Sequence, residues 1–290
     1  MESKAREFEQ HRGYLGALAY RMVGTRADAE DLVQEAWFRW DAVATGELRN
    51  PRAWLTTTLT RLCIDHLRSR RSRREDYVGP WLPEALVDET GPGDAPEDLG
   101  ADLSYALLVL LERLSPAERA AYLLREVFDH DYADLARILQ REPAACRQLV
   151  HRAKARIHDG RPRFDVDRAA LEQVMDQFVE ALSGADAAAL VSVLAHNATL
   201  VSDGGGKASA VSKPVHGADT VARLLLGFRA AAPDGFRLQR CTIGGEPGLI
   251  GAVGATALFT LSLGVVDGQI EALYFVRNPD KLAHALTAGP

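Results

Sequence analysis

Between residues 75 and 112 the chain carries ten carboxylates and no lysine or arginine, and it is bordered by stretches of the opposite sign. Residues 49–74 hold eight arginines against one carboxylate, Asp65, and residues 141–163 hold seven basic residues against two acidic ones. Two cationic modules flanking an acidic connector is the organisation this pattern dictates. Length agrees, because 290 residues exceeds what one ordinary core holds. The net charge of −6 argues against indiscriminate nucleic-acid binding by the whole chain, but it averages over opposed local fields.

Three cysteines, Cys63, Cys146 and Cys241, lie far apart and form no C-x-x-C pair, so reduced thiols are expected, with no disulfide framework and no metal site. The opening MESKAREFEQ is too polar for a signal peptide, which leads us to expect a cytoplasmic protein with no membrane partner. Residues 249–266 are uncharged over a length that could cross a bilayer, yet they contain three glycines with Thr and Ser. They also lead into Asp267-Gly268 and the alternating QIEALYFV, the pattern of a two-residue hairpin between strands. The reading is buried sheet.

In TRADAEDLVQEAWFRW, Ala29, Leu32, Val33, Ala36, Trp37 and Trp40 recur at helical spacing, and Thr25 with Asp28 reads as a variant capping box. The opposite face presents Asp31, Gln34, Glu35 and Arg39. After the break at Arg49-Asn50-Pro51, residues 52–68 form a second amphipathic pattern that runs into the arginine cluster. Further on, a helix capped at Ser115-Pro116, a short helix over 132–139, a turn at 141–143 and a basic helix over 144–157 make a helix-turn-helix pattern. In the last helix Leu149, Ala153 and Ile157 mark the buried stripe and leave Arg147, Gln148, His151, Arg152 and Lys154 outward. Arg and Gln can contact guanine and adenine edges, whereas Lys mainly meets phosphate.

DAEDLVQEAWFRW, NPRAWL and LSPAERAAYLLREVFDHDYADLARIL together resemble the two modules of extracytoplasmic-function sigma factors, the promoter-specificity subunits of bacterial RNA polymerase. The resemblance implies core RNA polymerase and promoter DNA as partners. It places Asp31, Gln34, Glu35 and Arg39 against polymerase, and Leu48, Arg49, Asn50, Arg61, Arg68, Arg70 and Arg71 near the minus-ten element. It places Arg147, Gln148, His151, Arg152 and Lys154 at the minus-thirty-five element. Arg61 stands where members of the family often carry Asn.

The acidic connector is then a tether between two reading heads. A tether of some 25 residues spans at most about 80 Å, so length does not limit it. A solvated linker has little use for Tyr77, Trp81 and Pro83, and something should cover Trp81. The candidate cover is residues 165–290, where two helices, a strand (ATLVSD), a third helix and four strands follow in order. That order resembles the SnoaL-like members of the nuclear transport factor 2-like superfamily, with SDGGGK, PVHG and VRNPDKL as specific matches. Together with YVGPWLPE, these motifs look like the sigma-factor subgroup that carries a fused SnoaL-like extension and requires no separate anti-sigma factor. The expected fold class is multidomain: two all-α DNA-binding domains and an α+β cone-shaped SnoaL-like (NTF2-like) domain. The expected boundaries are 5–75, a linker over 76–102, 103–163 and 165–290. An interdomain latch is expected between Tyr77, Trp81 and Pro83 on the tether and two loops, Asp203, Gly204, Gly205, Gly206 and Lys207 in one, Asn278, Pro279, Asp280 and Lys281 in the other.

Two rival functions remain in view. An enzyme in the cone could use His196, Asp203 and His216 for acid-base work, but no base is paired with an orienting group, and no cofactor is implied. Lys207 after three glycines lacks P-loop spacing. A ligand-sensing DNA-binding regulator independent of polymerase would not need the acidic helix. An unidentified small ligand in the cone is compatible with either class.

Overall fold

The computed structural model describes residues 2–43, 50–74, 77–88, 104–158, 168–283 and 285. The first elements are α1 (Glu2–Val23), α2 (Arg26–Ala42), α3 (Pro51–Arg74) and β1 (Val87–Asp88). Next come α4 (Tyr105–Leu111), α5 (Pro116–Tyr122), a π-helical turn (Leu123–Val127), α6 (Tyr132–Leu139) and α7 (Pro143–His158). The rest is α8 (Arg168–Gly184), α9 (Ala187–Val193), β2 (Leu194–Asp203), β3 (Val215–His216), α10 (Ala218–Ala230), β4 (Phe236–Ile243), β5 (Glu246–Val253), β6 (Thr256–Val266) and β7 (Gln269–Val276). The chain forms two compact units, one with α1–α3 and α5–α7, the other with residues 77–88 and everything from α8 onward; α4 is divided between them.

In the helical unit, Ala29, Leu32, Val33, Ala36 and Trp40 are buried along one stripe of α2. α1 covers that stripe, with Phe8, Leu15, Leu18 and Met22 buried at helical spacing. No helix is expected there from sequence, because the polar first ten residues hide the periodicity. Lys4 of α1 donates to the carbonyls of Asp41 (2.7 Å), in the last turn of α2, and Val43 (2.5 Å), its C-cap. The expected capping box at Thr25 does not form. Thr25 has the extended N-cap backbone, but its hydroxyl donates to the Asp28 carboxylate instead of accepting from an amide. Asp28 is drawn further away by Arg70 (2.6 Å). α3 is longer than its expected 52–68 and begins with Asn50, whose side chain accepts from the Ala53 amide (3.0 Å).

The helix-turn-helix is as the sequence reading has it. Ser115 and Glu118 complete a capping box on α5, Gln140 closes α6 in the left-handed region (φ 52°), and Leu149, Ala153 and Ile157 are buried.

The second unit is a seven-stranded sheet in the order β1-β4-β5-β6-β7-β2-β3. α8, α9 and α10 pack on it around Met175, Phe178, Leu190, Val221, Leu249 and Leu273. The uncharged run 249–266 supplies much of β5 and β6, which lie inside the sheet and are buried on both faces over most of their length. No helix among the described residues is long and apolar enough to cross a membrane. Asp267 and Gly268 both take positive φ (47° and 77°), which a type I′ turn between β6 and β7 requires. Two strands are unforeseen. β1 belongs to the tether and pairs antiparallel with β4, Val87 opposite Ile243. A short β3 likewise pairs with β2 through Thr199 and His216.

Glu246 opens β5 opposite Ile243, and its carboxyl group has no hydrogen bond or ion pair among the described residues. Burial alone raises its carboxyl from 4.5 to about 7. The folded state therefore binds this proton more tightly than the unfolded chain does, and stability should decline as pH rises from 4.5 toward 7, by up to about 3 kcal/mol. Glu246→Gln should flatten that slope, gaining thermal stability over wild type at pH 8 and little at pH 4.5. Equal gains at both pH values in thermal melts would contradict it.

Candidate functional site

On α2, Asp31, Gln34, Glu35 and Arg39 are all exposed, and Glu35 pairs with Arg39 along the helix (3.0 Å). Phe38, one turn on from Gln34, is 57% exposed amid them, one of two large hydrophobic residues so exposed among the described residues. Sequence reasoning passed over it, although its i+7 spacing from Asp31 puts it on the polar face. A lone exposed ring inside a charged face suits a protein contact.

Of the residues assigned to the minus-ten element, Leu48 and Arg49 lie outside the described residues, as does the side chain of Arg71. Asn50 is exposed and caps α3. Arg68 pairs with Asp65 (3.2 Å), and Arg70 turns inward to Asp28. Arg61 is occupied. Its Nε donates to the carbonyl of Ile138 (3.2 Å) and Nη2 to that of Arg137 (3.3 Å), capping the end of α6. A second arginine makes the same kind of bridge: Arg119, 2% exposed, donates from Nη1 to the carbonyl of Met22 at the end of α1 (2.7 Å) and to Glu112 (2.7 Å). Tyr14 and His130 add a side-chain hydrogen bond of 2.9 Å. The two helical modules are thus tied within one unit.

On α7, Arg147, Gln148 and His151 face solvent, and Arg147 lies over the ring of Tyr132 (5.4 Å). Arg152 and Lys154 point outward as expected, with side chains 51% and 44% exposed, and each is also ion-paired. Arg152 and Arg156 both pair with Glu118 of α5 (3.1 and 2.6 Å), and Lys154 pairs with Glu126 (2.6 Å). Burial would raise the Glu118 carboxyl, but the Ser115 hydroxyl and amide and the two arginines outweigh it and hold it below the usual range. These pairs set the angle of α7 against α5.

The tether is received by a single carboxylate at the end of β2. Asp203 is fully buried. Its Oδ1 accepts from the Tyr77 hydroxyl (2.6 Å) and the Gly205 amide (3.0 Å), and its Oδ2 accepts from the Leu82 amide (2.9 Å) and Lys281 (2.6 Å). Lys281 also donates to the Leu82 carbonyl (2.5 Å), and its ammonium stands 4.0 Å from the Trp81 ring centre and 5.3 Å from that of Tyr77. A buried ion pair is tolerated where hydrogen bonds saturate both charges, and here they do. Asn278 donates to the Tyr77 hydroxyl (3.0 Å). Burial, then the bond to Asp203, raises the Tyr77 phenol above its ordinary value, so it remains a donor. Gly205 and Gly206 have φ of 59° and 71°; a Cβ at Gly206 would stand 3.2 Å from that of Val78, and one at Gly205 would overlap Asn278. Gly204 is closed in by Ala208 and Ala210.

Two expectations about this site need correction. Lys207 is not the cation that meets the tether: it pairs in solvent with Asp280 (2.6 Å), because the positive-φ glycines before it turn it outward. Lys281 takes that place. Pro83 makes no hydrogen bond to either loop among the described residues; its carbonyl accepts from the buried hydroxyl of Tyr105 (2.7 Å), while Pro279 starts the short helical turn that ends at Lys281. His196 and His216 are exposed, and His216 bonds Thr199 (3.0 Å). With Asp203 taken up by the tether, these three residues form no acid-base pair.

A helical unit with a charged face, a helix-turn-helix and an α+β domain gripping the connector defines a two-headed transcription factor of the sigma class. Residues 8–73 match the Sigma-70 region 2 family and residues 104–157 the Sigma-70 region 4 family. The chain is 40% identical to the ECF RNA polymerase sigma factor SigJ of Mycobacterium tuberculosis, over 95% of this chain and 92% of that protein. It is 33% identical to the probable ECF RNA polymerase sigma factor SigI of the same species, over 94% and 92%. The crystal structure of M. tuberculosis SigJ superposes with a TM-score of 0.77 at 35% identity, covering 97% of this chain and 99% of that one. The chain belongs to the ECF RNA polymerase sigma factors. It directs RNA polymerase to promoters through regions 2 and 4, and the likeness to the SigJ structure extends over its C-terminal α+β domain; a polymerase-independent regulator is not favoured.

Proposed function

We propose that the C-terminal domain is a built-in regulator that holds the tether between regions 2 and 4, and that it acts by binding and not by catalysis. The observation that carries this reading is the buried Asp203 carboxylate bonded to Tyr77 and Leu82 of the tether. A regulator inside the same chain removes the need for a separate anti-sigma factor, and a small ligand in the cone could set its state. The protein works in the cytoplasm on core polymerase and promoter DNA.

The face of Asp31, Gln34, Glu35, Phe38 and Arg39 meets polymerase. Asn50 and the arginines of α3 meet the minus-ten element once Arg61 leaves the α6 carbonyls. Arg147, Gln148 and His151 read minus-thirty-five base edges, while Arg152 and Lys154 position α7 and contact phosphate.

Transcription with purified core polymerase tests both halves. Asp31→Ala/Glu35→Ala/Phe38→Ser should fold normally, since all three side chains are exposed, and should bind core enzyme at least about tenfold more weakly. Trp81→Ala should leave core affinity intact and change promoter output. Wild-type binding by the triple variant would remove the polymerase face, and unchanged output from Trp81→Ala would remove the regulatory tether.

A further inference from the structure

A cavity of about 990 Å³ opens in the C-terminal domain between the ends of α8 and α10, the loop at 231–235 and strands β4, β6 and β7. One wall is a continuous run of rings. Phe228 stands 6.0 Å from Phe275, Phe275 4.7 Å from Phe259, and Phe259 6.0 Å from Phe236. Gly251 on β5 makes room for two of them, since a Cβ there would overlap the Phe259 and Phe236 rings. The glycine is thus tied to the shape of the cavity wall.

Arg277 lines the same cavity from the end of β7. Its guanidinium stands 5.6 Å from the Phe228 ring centre, and Nη1 donates to the Ser209 carbonyl (2.5 Å). That carbonyl is its single hydrogen-bond partner among the described residues; Nε is buried with none. Burial lowers its basicity from the ordinary value, and no carboxylate pairs with it among the described residues. A guanidinium fork beside an aromatic ring and without an anion among the described residues is half of a carboxylate-binding pair. The cavity lies at the upper end of small-molecule site volumes, large enough for a fused-ring body.

We propose that this cavity binds a small amphipathic carboxylic acid, with a flat apolar ring system on the phenylalanine wall and its carboxylate on Arg277. Arg229 also lines the cavity, but its guanidinium donates to the Ser183 carbonyl at the end of α8, and no lysine among the described residues lines the cavity. The consequence for transcription rests on the regulatory reading above. The Arg277 amide donates to the Asp203 carbonyl (2.7 Å), as does the Asn278 amide (2.9 Å). The residue that grips the ligand is therefore bonded to the residue that grips the tether, and occupancy of one is felt at the other.

Titration calorimetry on the full-length protein tests the site, with naphthalene-2-carboxylate, the neutral 2-naphthamide and acetate as probes. Wild type should bind the naphthoate saturably at one site, at least about tenfold tighter than the amide, and should bind acetate undetectably. Arg277→Gln should lose that margin while still binding the amide, which shows that the domain is folded. Phe259→Ala should weaken both aromatic probes. No saturable naphthoate binding by wild type, or an undiminished margin in Arg277→Gln, overturns the proposal. Polymerase and promoter are absent from this experiment, so its failure leaves the tether reading standing, and failure of the Trp81→Ala test leaves the binding site standing.

Discussion

Asp203→Ala should destabilise the C-terminal domain by about 3–5 kcal/mol, because it leaves the Lys281 ammonium buried against Trp81 without its anion. The side chains of Asp203 and Lys281 are 0% and 7% exposed, so water cannot take over the lost partner. The Leu82 and Gly205 amides lose their acceptor in the same step. For a domain of this size, the thermal midpoint should fall by roughly 10 °C. Lys281→Met added to Asp203→Ala should recover part of the loss, since an apolar chain of similar length no longer demands an anion. Hydrogen exchange should speed up over residues 77–88 in the single variant, reporting release of the tether. A midpoint within 2 °C of wild type, or a double variant less stable than the single one, would show that the pair does not hold the tether.

Much of this was legible because the determining signals are local. Helical spacing in α2, the Ser115 cap of α5 and the Asp267-Gly268 turn each act within a few residues, and each appears where the sequence puts it, while α7 starts at Pro143, one residue before its expected start. YVGPWLPE, SDGGGK and VRNPDKL were legible as partners because a tether tryptophan needs cover. What the sequence hid is set by long-range pairing. Whether Lys207 or Lys281 meets the tether depends on which way two positive-φ glycines turn the chain. β1 is two residues long and exists only because β4 offers it an edge. The cap at Thr25 was lost to Arg70, 42 residues away, which draws the Asp28 carboxylate off. Arg61 reads as a DNA contact in any one-dimensional account, and only the packing of α3 against α6 puts it on carbonyls.

Arg119→Met should open the helical unit. Arg119 is buried between the two modules and joins the last carbonyls of α1 to Glu112, and methionine fills its volume while removing both bonds. Breaking a buried charge-assisted bridge of this kind costs about 3–5 kcal/mol. Arg61→Ala removes a partly exposed cap and should cost about 1 kcal/mol. The difference decides which contact governs closure. Spin labels introduced at Glu30→Cys on α2 and Glu142→Cys before α7 should give one narrow distance distribution in wild type and a broader, longer one in Arg119→Met. Regions 2 and 4 must reach separate promoter elements, and under the minus-ten role proposed above for Arg61 its cap on α6 has to be released first, so that proposal requires opening to precede promoter recognition. Arg119→Met should therefore assemble with core polymerase faster than wild type despite its lower stability. If assembly is no faster while the distance distribution broadens, closure is incidental to activity; if the distribution does not change, Arg119 does not hold the modules together.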